Sequence, residues 1–142
     1  MKGRLVAMNK IDVANGLLFQ KMKIAKETSD DRSLCQFKVY LLQSLGTNLG
    51  YSFVWHKGPY SLTLADYVHE NLDVLLSKDF SKYKMKEVAQ KNVTKVNSLA
   101  HEKCSPLNLV LWYRLLASLV FMNLNRRSWK IGDSNDPYCL LN

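Results

Sequence analysis

The sequence predicts a mainly α-helical single domain: a bundle of about five helices with a short β element near residues 51–56. Three observations predict it. Apolar residues recur at three- and four-residue spacing through most of the chain, aromatic residues alternate only between Tyr51 and Trp55, and no linker, low-complexity tract or internal repeat divides the 142 residues. A chain of this length supports one core without disulfides or metal, and 47% apolar with 23% charged residues is the balance of a folding chain rather than a disordered one.

The first helix is expected over Lys10 to Ile24, with Ile11, Ala14, Leu17, Leu18 and Met22 as its buried face and Gly16 as a local weakness of about 1 kcal/mol relative to alanine. ETSDD then supplies oxygen-bearing side chains for a helix start, with Ser29 or Asp30 as N-cap. The second helix places Leu34, Phe37, Leu41 and Leu45 on one stripe, with Cys35, Val39 and Leu42 beside it, and Gly46 ends it. Tyr51 to His56 reads as a short strand leading to a turn at Lys57-Gly58-Pro59, where proline lacks the amide to continue a ladder. Ser61 caps a third helix with Leu62, Ala65, Val68, Leu72 and Leu76 on its apolar face.

A fourth helix from Met85 to His101 is expected to bury Met85, Val88, Ala89, Val96 and Leu99. Ser105 and Pro106 then start a fifth, apolar nearly all round from Leu107 to Asn123 and therefore expected at the centre of the bundle. Residues 126–142 read as an irregular C-terminal tail that packs on the domain through Trp129, Tyr138 and Leu140.

Several function classes are excluded at this stage. Three widely spaced cysteines with no CxxC pair suggest neither a disulfide framework nor a zinc ribbon, and the N-terminus lacks the apolar run of an export signal, so a cytoplasmic setting is expected. Leu107 to Asn125 approaches the length of a membrane span but has Arg114 near its middle, and no membrane role is expected. The net charge is +8, shared between the halves: residues 1–71 hold 9 basic and 6 acidic side chains, residues 72–142 hold 11 and 6. Such an excess favours an acidic partner, either a protein face or nucleic acid.

SLCQFKVYLLQSLG followed by GYSFVWHKGPYSLTLADYV, with Gln36, Val39, Tyr40, Leu41, Leu42, Tyr51, Phe53, His56, Gly58, Pro59, Tyr60, Ser61, Leu64 and Asp66 as matching positions, resembles the YwgA-like group of small prokaryotic proteins. That group in turn resembles the Panacea, or SocA-like, antitoxin family. The match covers Ser33 to Asp73 and departs from the pattern after Gln36, where Phe37 precedes the lysine, and before Gly58, where Lys57 replaces an aromatic. The resemblance implies a helical domain that binds other proteins, linked with toxin neutralisation or phage and plasmid conflict, and no catalytic residues.

Candidate chemistry divides as follows. His101 and Cys104 alone have metal-ligand spacing, without further ligands, so no metal and no cofactor are expected. Ser61, His56, Asp66 and His69 lie close in sequence, but capping already accounts for Ser61 and no nucleophile elbow surrounds it. The Gly-Pro-Tyr-Ser turn beside Lys57 reads either as a weak anion site or as a structural turn. Partner binding is assigned to Tyr51, Phe53, Trp55, His56, Lys57 and Tyr60; alternatively the aromatics Tyr51, Phe53, Trp55 and Tyr60 form the wall against which the Ser61 helix packs. The leading expectation is a protein-interaction module. The alternative is a small basic nucleic-acid-binding regulator resembling a winged helix, using Lys84, Lys91 and Lys95 on one helix side together with Arg126 and Arg127.

Overall fold

The computed structural model describes residues 9–100 and 106–131; within the last helix its side chains are described over residues 108–125. Five helices and one small hairpin make up these residues: α1 (Lys10–Met22), α2 (Ser29–Ser44), β1 (Val54–Trp55), β2 (Pro59–Tyr60), α3 (Leu62–Ser77), α4 (Glu87–Ser98) and α5 (Pro106–Ile131). The strands pair antiparallel, with Val54 opposite Tyr60 and Trp55 opposite Pro59. The expected mainly helical fold with a short β element is the fold observed.

Each early helix begins at a reciprocal cap. Asn9 accepts the Asp12 amide at 2.8 Å while the Asp12 carboxylate accepts the Asn9 amide, and Thr28 does the same with Asp31 at 3.0 Å. Thr28, not Ser29 or Asp30, is therefore the cap of α2, because only Thr28 has an acidic side chain three residues on that can return the bond. α1 ends at Lys23, whose φ of 56° turns the chain left-handed.

The buried faces differ from the expected ones wherever a polar side chain finds a buried partner. On α1 the inward residues are Asp12, Asn15, Gly16, Leu18, Phe19 and Met22, and Ile11 is exposed. Asp12 accepts the Tyr67 hydroxyl at 2.6 Å and Asn15 accepts that of Tyr51 at 2.8 Å, so two polar residues occupy the face assigned to Ile11 and Ala14. On α3 the inward set is Leu64, Val68, Asn71, Leu72 and Leu75, leaving Leu62 and Leu76 exposed. On α4 it is Asn92, Val93 and Val96, with Val88 exposed; Asn92 turns inward because its amide donates to the Leu45 carbonyl and the Thr47 hydroxyl.

The central helix is α2, not α5. It contacts α3, α4, α5 and β2 and buries seven residues in sequence, Cys35 to Leu42 except Lys38. α5 packs through Val110, Tyr113 and Ala117 and leaves its opposite side to solvent. It also continues to Ile131, so Arg126 to Ile131 is helical backbone rather than irregular tail. The expected packing of Trp129, Tyr138 and Leu140 lies outside the described side chains.

Helix C-termini are closed by neighbours. Gln20 of α1 donates to the Leu75 and Lys78 carbonyls at the end of α3, both at 2.9 Å. Trp112 and Tyr113 of α5 donate to the Leu99 and Val96 carbonyls at the end of α4, both at 2.6 Å. These bonds supplement the helix ends, where the Leu75 and Val96 carbonyls also accept the Lys78 and Leu99 amides.

Gly16 has a packing role that its helix propensity conceals. A Cβ built on it would lie 2.4 Å from Cζ of the buried Phe80 ring, which rests on the bare backbone of α1. Gly16→Ala is therefore expected to destabilise the fold by about 1–3 kcal/mol despite the better helix propensity of alanine, as overpacked cores do. Phe80→Leu in the same chain should recover part of that loss, read by urea denaturation as a double-mutant cycle.

Burial also raises the Tyr40 phenol and four further acidic protons. It pushes the Cys35 thiol and the Tyr113 phenol each up to about 12, and it raises Tyr51 and Tyr67 above the ordinary value near 10, with the Asp12 carboxylate adding to both. Burial pulls the Lys38 ammonium down, which acts in the opposite sense. These acids hold their protons more tightly in the folded chain than in the unfolded one. The stability they supply is complete below their unfolded values and is lost as pH rises beyond them. Denaturation midpoints are expected to fall steadily between about pH 9 and pH 11, and a flat profile there would contradict the described burial of these groups.

Candidate binding cleft and outer helix face

Two glutamines of α2 hold the irregular stretch that contains the hairpin. Gln43 accepts the amides of Leu49 and Tyr51 at 3.1 and 3.0 Å and donates to the Tyr51 carbonyl at 2.9 Å. One heptad earlier, the buried Gln36 accepts the Ser61 amide at 2.8 Å and donates to the Ser61 carbonyl at 2.9 Å. Each primary amide therefore pairs with a backbone unit as a neighbouring strand would. Ser61 in turn caps α3 by accepting the Leu64 amide at 3.2 Å, as expected.

Between these anchors only Val54–Trp55 is strand, and the rest of Tyr51 to His56 is extended chain without a ladder. Pro59 does not end the β element; it opens β2, a first-strand position where its missing amide is tolerated. Lys57 at φ 58° and Gly58 at φ 123° make the turn, and the His56 amide donates to the Gly58 carbonyl at 2.7 Å. A side chain at Gly58 would meet Phe37 at 3.0 Å and Arg114 at 3.8 Å, so glycine there serves both the turn and the approach to α2 and α5.

The residues assigned to partner binding separate into two groups. Tyr51 and Phe53 face inward: Tyr51 bonds Asn15 of α1, and the Phe53 ring meets Tyr40 of α2 edge-on at 5.2 Å. Trp55 rests half-exposed against Phe121 of α5 at 5.5 Å. The aromatic strand is thus a wall, but against α1, α2 and α5 rather than the Ser61 helix. His56, Lys57 and Tyr60 instead line a cleft of about 390 Å³.

Of the nucleic-acid candidates, Lys91 and Lys95 lie exposed on α4, one turn apart. Lys84 precedes the helix, so the three lysines do not form one helical row. The side chains of Arg126 and Arg127, and the pair His101 and Cys104, lie outside the described side chains.

The cleft is assembled from four elements. α2 and the loop before it supply Lys26, Ser29, Arg32, Ser33, Gln36 and Phe37; the hairpin supplies His56 to Tyr60; α3 supplies Ala65, Val68 and His69; α5 supplies Arg114. No aspartate or glutamate is among the described residues of its wall. Lys26 pairs with Asp73 at 3.4 Å and donates to the His69 carbonyl, and Arg32 donates to the Lys26 carbonyl. Arg114 differs from both. Its guanidinium lies 5.6 Å over the Phe37 ring, and its Nε is buried without a hydrogen-bond partner, a state that costs about 1–3 kcal/mol when left unrelieved. Cys35 also borders the cleft, but a thiol raised to about 12 is no nucleophile at neutral pH.

On its far side α5 presents Leu111, Leu115, Leu119 and Met122 at 55, 50, 55 and 50% exposure. Their spacing of four, four and three residues makes one straight apolar stripe, opposite Val110, Tyr113 and Ala117. Sequence reasoning missed both features. It used Arg114 only to argue against a membrane span, and read the apolar excess of α5 as a sign of a central position. Among the described residues no helix is long and apolar enough to cross a membrane, and no group of three or more His, Cys, Asp or Glu side chains could hold a metal ion. Compared with family models, curated proteins and solved structures, the chain matches none.

Gln36→Leu removes both bonds to Ser61 and leaves the buried Ser61 amide unpaired, while the Ser61 carbonyl keeps the Ala65 amide at 3.1 Å. It is expected to destabilise the fold by about 2–4 kcal/mol, measured by urea denaturation, whereas a loss below about 0.5 kcal/mol would show that the pairing is dispensable.

Proposed function

We propose that this chain is a protein-interaction module, with the outer face of α5 receiving an amphipathic helix of an acidic partner protein. The bare stripe from Leu111 to Met122 carries the proposal: four large apolar side chains in line on an otherwise folded domain. The stripe is about 16 Å long at 1.5 Å per residue, a length that matches three turns of a partner helix. The net charge of +8 selects an acidic partner and opposes a second copy of the same chain. Of the residues expected to bind a partner, Trp55 is the one that rests on α5, through Phe121. The resemblance to the Panacea antitoxin group supports the same reading, in which the domain acts by masking what it binds.

Leu115→Glu with Leu119→Glu tests it. Both side chains are half-exposed, so the double variant should keep its melting temperature within the small range typical of surface changes. Capture from nuclease-treated lysate should yield a stoichiometric acidic protein whose retention weakens with salt and is lost in the double variant. Three results would overturn the proposal: capture unchanged by the variant, capture abolished by nuclease, or self-association of the purified chain that the variant disperses.

A further inference from the structure

We infer that the cleft between α2, the hairpin, α3 and α5 binds a small organic phosphate: a phosphate monoester on a ring-bearing body, of the nucleoside monophosphate kind. The inference does not rest on partner binding by α5, which concerns the stripe from Leu111 to Met122 and not the cleft.

Charge is the first observation. Every charged side chain on the described wall is cationic, and among the described ion pairs Lys26 alone is offset by a carboxylate, that of Asp73. Arg32, Lys57 and Arg114 have no described acidic partner, and three separated cations suit a dianion better than a single carboxylate. A wall of one sign with low-dielectric backing also concentrates anions before they bind.

Geometry is the second. Arg114 lines the cleft from α5 with its guanidinium 5.6 Å from the centre of the Phe37 ring, and its buried Nε–H has no acceptor among the described residues. A planar, oriented guanidinium with open donors matches the oxygens of a phosphate, and a bound oxygen would relieve the unpaired donor. Ser29 and Ser33, in the first two turns of α2, add hydroxyl groups to the wall.

The third is the apolar remainder. Phe37, Pro59, Ala65 and Val68 supply apolar surface, and the His56 and Tyr60 rings meet edge-on at 5.7 Å at the hairpin. Flat aromatic surface beside fixed cations is what a base and its phosphate require. The volume of about 390 Å³ falls within the range of small-molecule sites, roughly 300–1,000 Å³.

Calorimetric titration of the purified chain with adenosine monophosphate, adenosine, inorganic phosphate and citrate tests the inference. Adenosine monophosphate should bind, inorganic phosphate should compete with it more weakly, and adenosine and citrate should not bind comparably. Arg114→Lys keeps the charge but loses the planar fork, and should weaken binding about tenfold. Because that change touches the packing on Phe37, exposed Lys57→Ser provides a second reading and should weaken binding several-fold at an unchanged melting temperature. No binding of adenosine monophosphate at millimolar concentration, equal binding of adenosine, tighter binding of citrate, or full affinity in folded Lys57→Ser would each overturn the inference.

Discussion

The pairing of α2 side-chain amides with the backbone of residues 49–61 is the constraint on which the rest of the structure depends. Two-residue strands have almost no stability of their own. Gln43 fixes where the extended stretch begins, and Gln36 fixes where it ends and α3 starts. Between those points the chain packs on α2 through Phe53 and Gly58 and brings His56, Lys57 and Tyr60 to the same wall as Arg32. The position of α3 follows as well, because the residue gripped by Gln36 is also its N-cap.

α2 can occupy the centre because its polar side chains are satisfied there. Gln36 bonds backbone, and Lys38 reaches the Met22 carbonyl at 3.1 Å with the Tyr113 ring beneath its ammonium. A helix apolar all round is not thereby central. α5 uses one side against α2 and keeps another set of leucines outside, so its composition reflects two surfaces with different occupants. Arg114 lies between those surfaces, toward the cleft.

Helix number, order and most boundaries were legible because the apolar spacing and starts such as Ser61 act locally, while the Asn9 and Thr28 caps were missed. Burial was less legible. Asp12, Asn15, Gln36, Asn71 and Asn92 are buried polar residues, and rules that place only apolar side chains inside rotate each helix away from its true face. Their partners, such as Tyr67 for Asp12 or Leu45 and Thr47 for Asn92, are 45 to 55 residues distant, so no local pattern announces them. The cleft was illegible for the same reason: Lys26, Arg32, His56, His69 and Arg114 are scattered over the chain and meet only in the fold. The Gly-Pro-Tyr-Ser turn beside Lys57 was the one fragment of it that spacing could mark.

The brevity of the hairpin has a kinetic side. A ladder of two residue pairs cannot form early, since it has nothing to hold it until α2 offers both glutamines. Its closure is therefore expected after the main barrier, once α2 packs against its neighbours. Changes within the turn would act on how fast the native chain opens rather than on how fast it folds. The cleft is then the last part of the domain to assemble and the first to come apart. Anything held in it prolongs the lifetime of the folded chain by bridging elements that otherwise separate first.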